Sequence, residues 1–535
     1  MLKYCSTRQI SIEEFKTPFQ MGLDPNNRWV HLSRIIPWDE LVGIYARSLS
    51  IKLGRPTMDA RVEIGALILQ HILQLSDEEL LEQIRENPYL QYFLGYEEYS
   101  YRQVFDASLL VMIRRRLGET AVNEMNEIFL SHIEQGEKKR QNSSKKKKQR
   151  TTAKSDQPSP SADESKGEGG DEAGPTHGGK LLMDATVAPS DIKYPTDLEL
   201  LNKAREASER LIDLLWEPEP GKVKPRTYRR KARRVYLSVA KQRKKRKKIL
   251  GKAIGKQLGY LRRNIATIQR LLNEKTEPGF PLRYRDLRLL WIIQEVYRQQ
   301  KEMYDEKTKR IADRIVSIHQ PYVRPIVRGK AKAEVEFGAK LSVSLVGGYC
   351  YLERISWDAF NESGDLVSQV ENFKRRFGHY PEAVIADNIY GTRENRAYLK
   401  ERGIRFSGAA LGRPPSLTEE NAAELRAEKK RRKQEAKIRG WIEGAFGRGK
   451  RGYGLDLIKT KTKPTSETYV AAVFFAMNLV LALKAHFFAL WRPGLLNAWS
   501  IYKAMQAILQ GLWNSTGAAS AQTDYPICLA PAQAY

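Results

Sequence analysis

The sequence predicts a mixed α/β protein: a mixed sheet flanked by helices, with a helical N-terminal domain before it and a long helical insertion after its first strand. Short apolar runs alternate with amphipathic helical patterns after residue 330, as in a layered sheet-and-helix domain. Patterns with helical spacing fill residues 1–135 and 195–330. A chain of 535 residues is long enough for several such domains.

Residues 1–135 form the predicted helical N-terminal domain. Apolar residues recur at near-helical spacing from Met58 to Ile72, and Ser76 with Glu79 predicts a capping box for the next helix. A third helix is predicted to end just before Gly118, after three consecutive arginines. This domain could bind DNA ends, or it could be a dimerisation module with a solvated basic end.

Residues 136–179 and 492–535 are predicted to lie outside the folded domains. The first segment contains almost no apolar side chain, so we predict a disordered charged linker whose basic half could touch phosphates without sequence preference. The second is predicted to be a C-terminal tail. Between the domains and this tail, the apolar stretch 469–491 is interrupted by polar residues and predicts a buried helix, begun by Thr465 or Ser466, and no membrane span.

The helical insertion, residues 195–330, carries a dense positive charge. Within 222–256, apolar residues are interleaved with basic ones, which suits helices with one packed stripe and one cationic face. The whole chain has a net charge of +28, which indicates a nucleic-acid partner. A merely solvated face is the alternative. The residues predicted to bind DNA phosphates here are Arg229, Arg230, Arg233, Arg234, Lys244, Lys245, Arg246, Lys247 and Lys248.

The composition excludes several other classes of protein. Three scattered cysteines, Cys5, Cys350 and Cys528, cannot build a disulfide scaffold or a cysteine zinc site, so we expect a reducing, cytoplasmic compartment. The N-terminus lacks the apolar core of a signal peptide. No glycine-rich pattern follows a strand as a nucleotide-binding loop requires, so no nucleotide cofactor is expected.

The sheet is predicted to begin at Lys180, and its last strand is followed by a charged helix. Two of the predicted strands end in an aspartate, and a Gly-Gly pair joins the hairpin. The predicted order is strand 180–187, hairpin 341–355, helix 366–377, strand 383–387, helix 392–403, strand 404–406 and a helix opened by Ser416 and Glu419 that runs towards Gly447.

Three carboxylates in this order form a candidate metal site. Asp184 and Asp387 at the ends of neighbouring strands would lie side by side, and a hard cation, Mg²⁺ or Mn²⁺, would relieve their repulsion. Glu443 on the following helix is the candidate third ligand. Arg439 lies one helical turn before it and Lys450 two turns after it, so both are expected to hold DNA phosphates on the same face.

Two residues before the hairpin are weaker candidates. His319 or Gln320 could line the site, although a loop whose side chains are satisfied by hydrogen bonds explains them equally simply.

The blocks MDAT (183–186), IADNIYGT (385–392) and RGWIEGAFGRGKRGYGLD (439–456) resemble the acidic blocks of DDE transposases of bacterial insertion sequences. The third block is similar to the signature of the insertion-sequence-four/five-like group, with Arg, Glu and Lys at the expected spacing but Ala436 where that signature has tyrosine. The N-terminal block GRPTMDARVEIGALILQ resembles the helical N-terminal domain of such enzymes.

This resemblance implies a ribonuclease H-like catalytic domain in which Asp184, Asp387 and Glu443 bind two divalent ions. It implies an enzyme that cleaves the ends of its insertion sequence and joins the 3′-hydroxyl to target DNA, with double-stranded DNA as partner and a homodimer in the active complex. Two alternatives share these residues: a nuclease without strand transfer, and a catalytically inactive DNA-binding protein.

Overall fold

The computed structural model describes most of the chain between residues 12 and 486. Residues Met1–Val480 form one compact unit, and the described residues of the second unit, Leu481–Tyr535, are the end of one helix. The predicted C-terminal tail lies outside the described residues. The described ranges are 12–16, 22–49, 58–102, 105–152, 177–218, 220–244, 246–275, 281–330, 333–412, 418 and 421–486.

The N-terminal region is helical, as predicted. Ser76 caps its fourth helix by accepting the amide of Glu79, whose side chain accepts the Ser76 amide in return, so the predicted capping box is present. Trp29, Trp38 and Phe93 pack edge to face in the core of this region. Its first helices are α1 (Arg28–Ile35), α2 (Trp38–Ala46), α3 (Ala60–Leu73), α4 (Asp77–Glu86) and α5 (Pro88–Phe93).

The sixth helical segment, α6 (Ser108–Thr152), is broken at Gly118, where the sequence predicts a helix end. Gly118 adopts φ 70° and ψ 168°, which breaks the helical path, but helical backbone resumes directly after it. The second helix, beyond the kink, was not predicted. The helical backbone also enters the predicted linker 136–179 as far as Thr152, and residues 153–176 of that linker lie outside the described residues.

The insertion is a helical subdomain with its own core. Its core is built mainly from leucine and isoleucine of the first, third and fourth helices. Arg205, 1% exposed, is held inside by Gln257, Glu209 and Asn202. The four helices are α7 (Asp197–Leu215), α8 (Arg229–Ala240), α9 (Lys247–Asn273) and α10 (Tyr284–Asp305).

The catalytic domain is built on a six-stranded mixed sheet. The first strand, at its centre, pairs antiparallel with the third and parallel with the fifth, and the fifth pairs parallel with the sixth. The second and fourth strands both pair with the other edge of the third. The strands are β1 (Lys180–Pro189), β2 (Arg324–Lys330), β3 (Ala333–Val346), β4 (Tyr349–Ser356), β5 (Ala383–Ile385) and β6 (Arg405–Phe406).

Without β2, the strand order is β4-β3-β1-β5-β6, the mixed sheet expected of the ribonuclease H-like class, and the predicted fold class is confirmed. Two aspects of the sheet differ from the predictions. The sequence did not predict β2, and β1 continues to Pro189, two residues beyond the predicted 187, so that Asp184 lies inside the strand; the long β3 pairs with β1 as far as Pro189. Gly338 of β3 makes this close pairing possible, since a Cβ there would lie 2.0 Å from the Ala188 carbonyl oxygen.

Helices cover both faces of the sheet. Leu366, Val370 and Phe373 share one face of α11 (Leu366–Phe377) and pack on β1 and β5 as predicted. Thr392 caps α12 (Arg393–Glu401), also as predicted. The next helix, α13 (Ala422–Gly452), begins six residues after the predicted Ser416, which lies outside the described residues together with Glu419.

The final helix, α14 (Lys463–His486), is the one described helix that is long and apolar enough to cross a membrane. However, 78% of its most apolar window is buried inside the protein, as expected of a core helix. It begins at Lys463, so Thr465 and Ser466 lie inside its first turn and do not precede it as predicted. The predicted end beyond residue 486 lies outside the described residues.

Candidate active site and nucleic-acid surface

The strand register brings Asp184 and Asp387 to equivalent positions on adjacent parallel strands. The last register pair between β1 and β5 is Leu182 with Ile385, and each aspartate follows its member of that pair by two residues. Residues two apart along an extended strand point to the same face. Met183 and Val384, the alternate residues, pack on the α11 side. The two aspartates therefore belong to the opposite face of the sheet.

Short hydrogen bonds orient both carboxylates. The amide of Ala185 donates to Asp184 Oδ1 at 2.8 Å, and the amide of Asn388 donates to Asp387 Oδ1 at 2.7 Å. Each bond engages one oxygen, and among the described residues the second oxygen of each carboxylate accepts no hydrogen bond. Asp184 is half-buried and Asp387 is exposed. Both aspartates therefore keep an oxygen available for a ligand.

Helix α13 packs across β1 and β5, the strands that lead to the two aspartates. Its buried residues Ile442, Ala445 and Phe446 face the core, and Glu443 lies at the edge of that buried face with its side chain 56% exposed. Near the N-terminal half of the helix, the buried Glu435 forms an ion pair with Arg405 of β6. The third predicted ligand is thus carried by a helix anchored on the correct strands.

In this structure the Glu443 carboxylate contacts Arg439 instead of the aspartates. Arg439 Nη1 lies 3.1 Å from Glu443 Oε1, one helical turn away, as the spacing predicted. A partly exposed pair of this kind is worth about 0.3–0.5 kcal/mol, so it opposes a change of rotamer only weakly. The helix continues through Gly444, Gly447 and Gly449 to Gly452. Lys450 therefore lies on α13 two turns after Glu443.

The described part of the chain contains no group of three His, Cys, Asp or Glu side chains close enough together to hold a metal ion. The chemistry of the donors nevertheless fits a hard divalent cation. Burial, reinforced by the negative charges of Glu362 and Glu443, raises the pKa of Asp184 from 3.8 to about 6. Glu443 is therefore near enough to repel Asp184, and a cation between these groups would remove that repulsion.

The raised pKa of Asp184 has a measurable consequence for stability. The native state retains the proton up to about pH 6 and the unfolded chain releases it near pH 3.8, so stability is lost as the pH rises between these values. We expect Asp184→Asn to melt at a higher temperature than wild type at pH 7 in a chelator, and the difference to disappear towards pH 4. Asp387→Asn, at an exposed carboxylate, is the control, and its melting temperature should rise by less. Equal gains at pH 4 and pH 7 would contradict the burial explanation.

Two residues near the site were missed by the sequence analysis. Glu362 follows β4, forms an ion pair with Lys340 at 2.9 Å and acts electrostatically on Asp184. Tyr390 is fully buried, and its hydroxyl has no hydrogen-bond partner among the described residues. Burial and then the surrounding carboxylates, Asp387 among them, raise the pKa of the Tyr390 phenol. Tyr390 could have been recognised from the sequence, because it lies inside the block IADNIYGT. Glu362 lies in none of the acidic blocks, and no sequence pattern marked it.

The basic face of the insertion is exposed over most of its predicted residues. Ala232 and Val239 of α8 are buried against the subdomain, which leaves the cationic side of the helix outward. Arg229 is also exposed, but it forms an ion pair with Asp213 at 2.8 Å. Lys245 lies outside the described residues. The other exposed candidates are Arg230, Arg233, Arg234, Lys244, Arg246, Lys247 and Lys248.

Two of the three arginines at the end of the predicted third N-terminal helix bind groups inside the domain. Arg114 is 3% exposed and its guanidinium binds Asp77 and Gln70. Arg116 lies 3.9 Å from the buried carboxylate of Glu63. Arg114 and Arg116 therefore hold the N-terminal helices together, whereas Arg115 is exposed.

The two weaker candidates, Gln320 and His319, lie in the loop before β2 and have different environments. Gln320 is buried and accepts a hydrogen bond from the Tyr322 hydroxyl at 3.3 Å, as expected of a structural loop residue. His319 is exposed and lines two neighbouring cavities.

Comparison with known proteins identifies two domains in the chain. Residues 384–480 match the family described as "Transposase DDE domain", a range that includes Asp387 and Glu443. Residues 18–116 match the family described as "Transposase domain (DUF772)", which corresponds to the helical N-terminal region. Asp184 precedes the first of these ranges.

Among curated proteins, the chain is similar to a protein of Rhizobium meliloti named "Uncharacterized protein ORF8 in nfe locus". The two are 34% identical over 114 residues, which is 21% of this chain and 53% of the relative, so the match spans about half of that protein. No solved structure matches the chain. Two separate transposase domain families match the chain, at residues 18–116 and 384–480, and the sheet is of the expected class; together these findings support a DDE-type transposase of bacterial insertion sequences.

Proposed function

We propose that this chain cleaves DNA at the ends of its insertion sequence and joins the exposed 3′-hydroxyl to target DNA. The observation that carries the proposal is the matched register of Asp184 and Asp387 beneath the helix that bears Glu443. The transposase domain that includes two of these residues, and the net charge of +28, support DNA as the substrate.

The three carboxylates Asp184, Asp387 and Glu443 would hold two Mg²⁺ or Mn²⁺ ions. Such ions, when bound, activate an oxygen nucleophile and stabilise the negative charge that develops on the leaving oxygen of a phosphodiester. The backbone bonds to Asp184 and Asp387 fix the direction of these side chains in advance, and Glu443 would reach the site by exchanging its contact with Arg439. That exchange would also release Arg439 to bind a phosphate.

Basic side chains would hold the DNA around the carboxylates. Arg439 and Lys450 lie on α13 one turn before and two turns after Glu443, so they would contact phosphates on either side of the scissile bond. The exposed basic residues of α8 and α9 would bind the backbone further away, with strong salt dependence. We also propose that a homodimer in the cytoplasm holds the two ends of the element together.

The direct test combines the full chain with duplexes that carry the DNA flanking its gene, a labelled target and Mg²⁺. The proposal predicts nicked or cut ends together with end–target joined products, and loss of both in a chelator. Cut ends without joined products would favour a nuclease. Binding without cleavage under all divalent-ion conditions would favour an inactive DNA-binding protein.

A further inference from the structure

Two adjacent cavities form one groove beside the helical insertion. Their volumes are about 470 and 750 Å³, and three residues, Lys203, His319 and Lys461, line both of them. Lys203 belongs to α7, His319 to the loop before β2, and Lys461 to the segment between α13 and α14. The groove therefore runs between the insertion and the loops of the catalytic domain.

The larger cavity is lined by five cationic side chains and one carboxylate. Lys203 and Arg210 lie two turns apart on one face of α7, and Arg285 and Arg288 lie one turn apart at the start of α10. The carboxylate, Glu206, is already engaged by Asn202 and Arg205. We call this surface the basic groove; its members are Lys203, Arg210, Arg285, Arg288, His319 and Lys461.

Internal ion pairs compensate only part of this charge. Lys203 lies 3.4 Å from Glu199, Arg210 lies 2.8 Å from Asp286, and Lys461 lies 2.5 Å from Asp191. Arg285 and Arg288 are exposed, and within the described ranges neither contacts a carboxylate. The groove thus presents two uncompensated guanidinium groups beside three cations that could exchange partners.

The pKa of His319 indicates that the electrostatic potential in the groove is positive. Partial burial, followed by the positive charges of Lys203 and Arg210, lowers the pKa of its imidazole. The ring is therefore harder to protonate than a free imidazole, and it can form a hydrogen bond without adding charge. The field that disfavours an imidazolium ion favours an anion at the same place.

We propose that the basic groove binds the phosphodiester backbone of DNA, as a contact separate from the basic face of α8 and α9. The inference rests on the proposed function for the choice of DNA as the polyanion. Sites for small molecules are mostly apolar with few polar groups. The larger cavity also has apolar walls, but five cations from three separate segments surround it. That distribution suits a polymer with repeated phosphates better than a single small anion.

The test measures binding of a labelled duplex to the full chain in a chelator, over a range of salt concentrations. We expect the double variant Arg285→Ala/Arg288→Ala to bind more weakly on every duplex sequence and to reduce the slope of log affinity against log salt by about 2. The Arg285→Lys/Arg288→Lys variant should retain most of the slope, because the charges remain. An excess of inorganic pyrophosphate should compete weakly for the wild type.

The matched control is Arg298→Ala on the same helix, because that exposed arginine already pairs with Glu295 and Glu302. It should leave the slope unchanged, and circular dichroism should show that all variants fold. A wild-type slope in the Arg285/Arg288 double variant would overturn the groove proposal. Tight competition by pyrophosphate would overturn it too, in favour of a small-anion site. Since no cleavage is measured, neither result depends on the catalytic proposal, which fails separately if the wild type does not cut DNA with Mg²⁺.

Discussion

Replacing Asp387 with asparagine should lower the rate of DNA strand cleavage by at least about 10²–10³-fold, the effect typical of losing one group that stabilises transition-state charge. Asparagine keeps the shape and the hydrogen bond from the Asn388 amide but removes the negative charge. Asp184→Asn should have a comparable effect, because Asp184 occupies the equivalent register position on β1. Glu443→Gln, the third carboxylate variant, should also lower the rate of strand cleavage.

The matched control is Asp358→Asn, at a carboxylate that is 72% exposed and lies just after β4. This variant should cleave at the wild-type rate. Single-turnover cleavage and strand transfer should be measured with each variant at saturating DNA, together with DNA affinity, so that chemistry is separated from binding. Wild-type rates in any one of the three carboxylate variants would exclude that residue from the mechanism.

The order of strands and helices in the catalytic domain could be predicted because each element carries its own local signal. The stripe Leu366, Val370 and Phe373 has helical spacing, and Gly347-Gly348 stands at the hairpin turn. The two aspartates could be placed together from strand order alone, since parallel neighbours place equivalent positions side by side. Glu443 was the candidate third residue because it lies on the helix after the last strand, and the resemblance to known acidic blocks implied the same residue.

Other features depend on contacts that no local pattern encodes. β2 contains Pro325 and charged residues instead of alternating apolar ones, and it is stable because it pairs as an edge strand with the overlong β3. A helix end was predicted at Gly118, and the helical path does break there. However, helical backbone resumes directly after it, and no local signal predicted this second helix. The basic groove joins residues more than 250 positions apart, from Lys203 to Lys461, so only the tertiary fold reveals it.

A second large effect is expected at Arg376, which connects three elements of the fold. Its guanidinium binds Glu353 of β4 and, at 2.7 Å, Glu127 of α6, and it lies 4.5 Å from the centre of the Tyr351 ring. Glu353 is only 3% exposed, so Arg376→Ala would leave a buried carboxylate without a cation. Breaking a buried pair in this way costs about 3–5 kcal/mol. Ser344 and Asn372 still donate to Glu353, which places the expected loss near 3 kcal/mol.

The neighbouring Arg375 provides the control, because it binds the same Glu127 at 2.8 Å but its side chain is 57% exposed. Arg375→Ala should lower the free energy of unfolding by less than about 1 kcal/mol. Urea unfolding followed by tryptophan fluorescence, with the slope compared between variants, measures both losses. Similar small losses at the two positions would show that Glu353 is satisfied by its neutral donors alone, and that α6 does not depend on this pair to stay attached to the sheet.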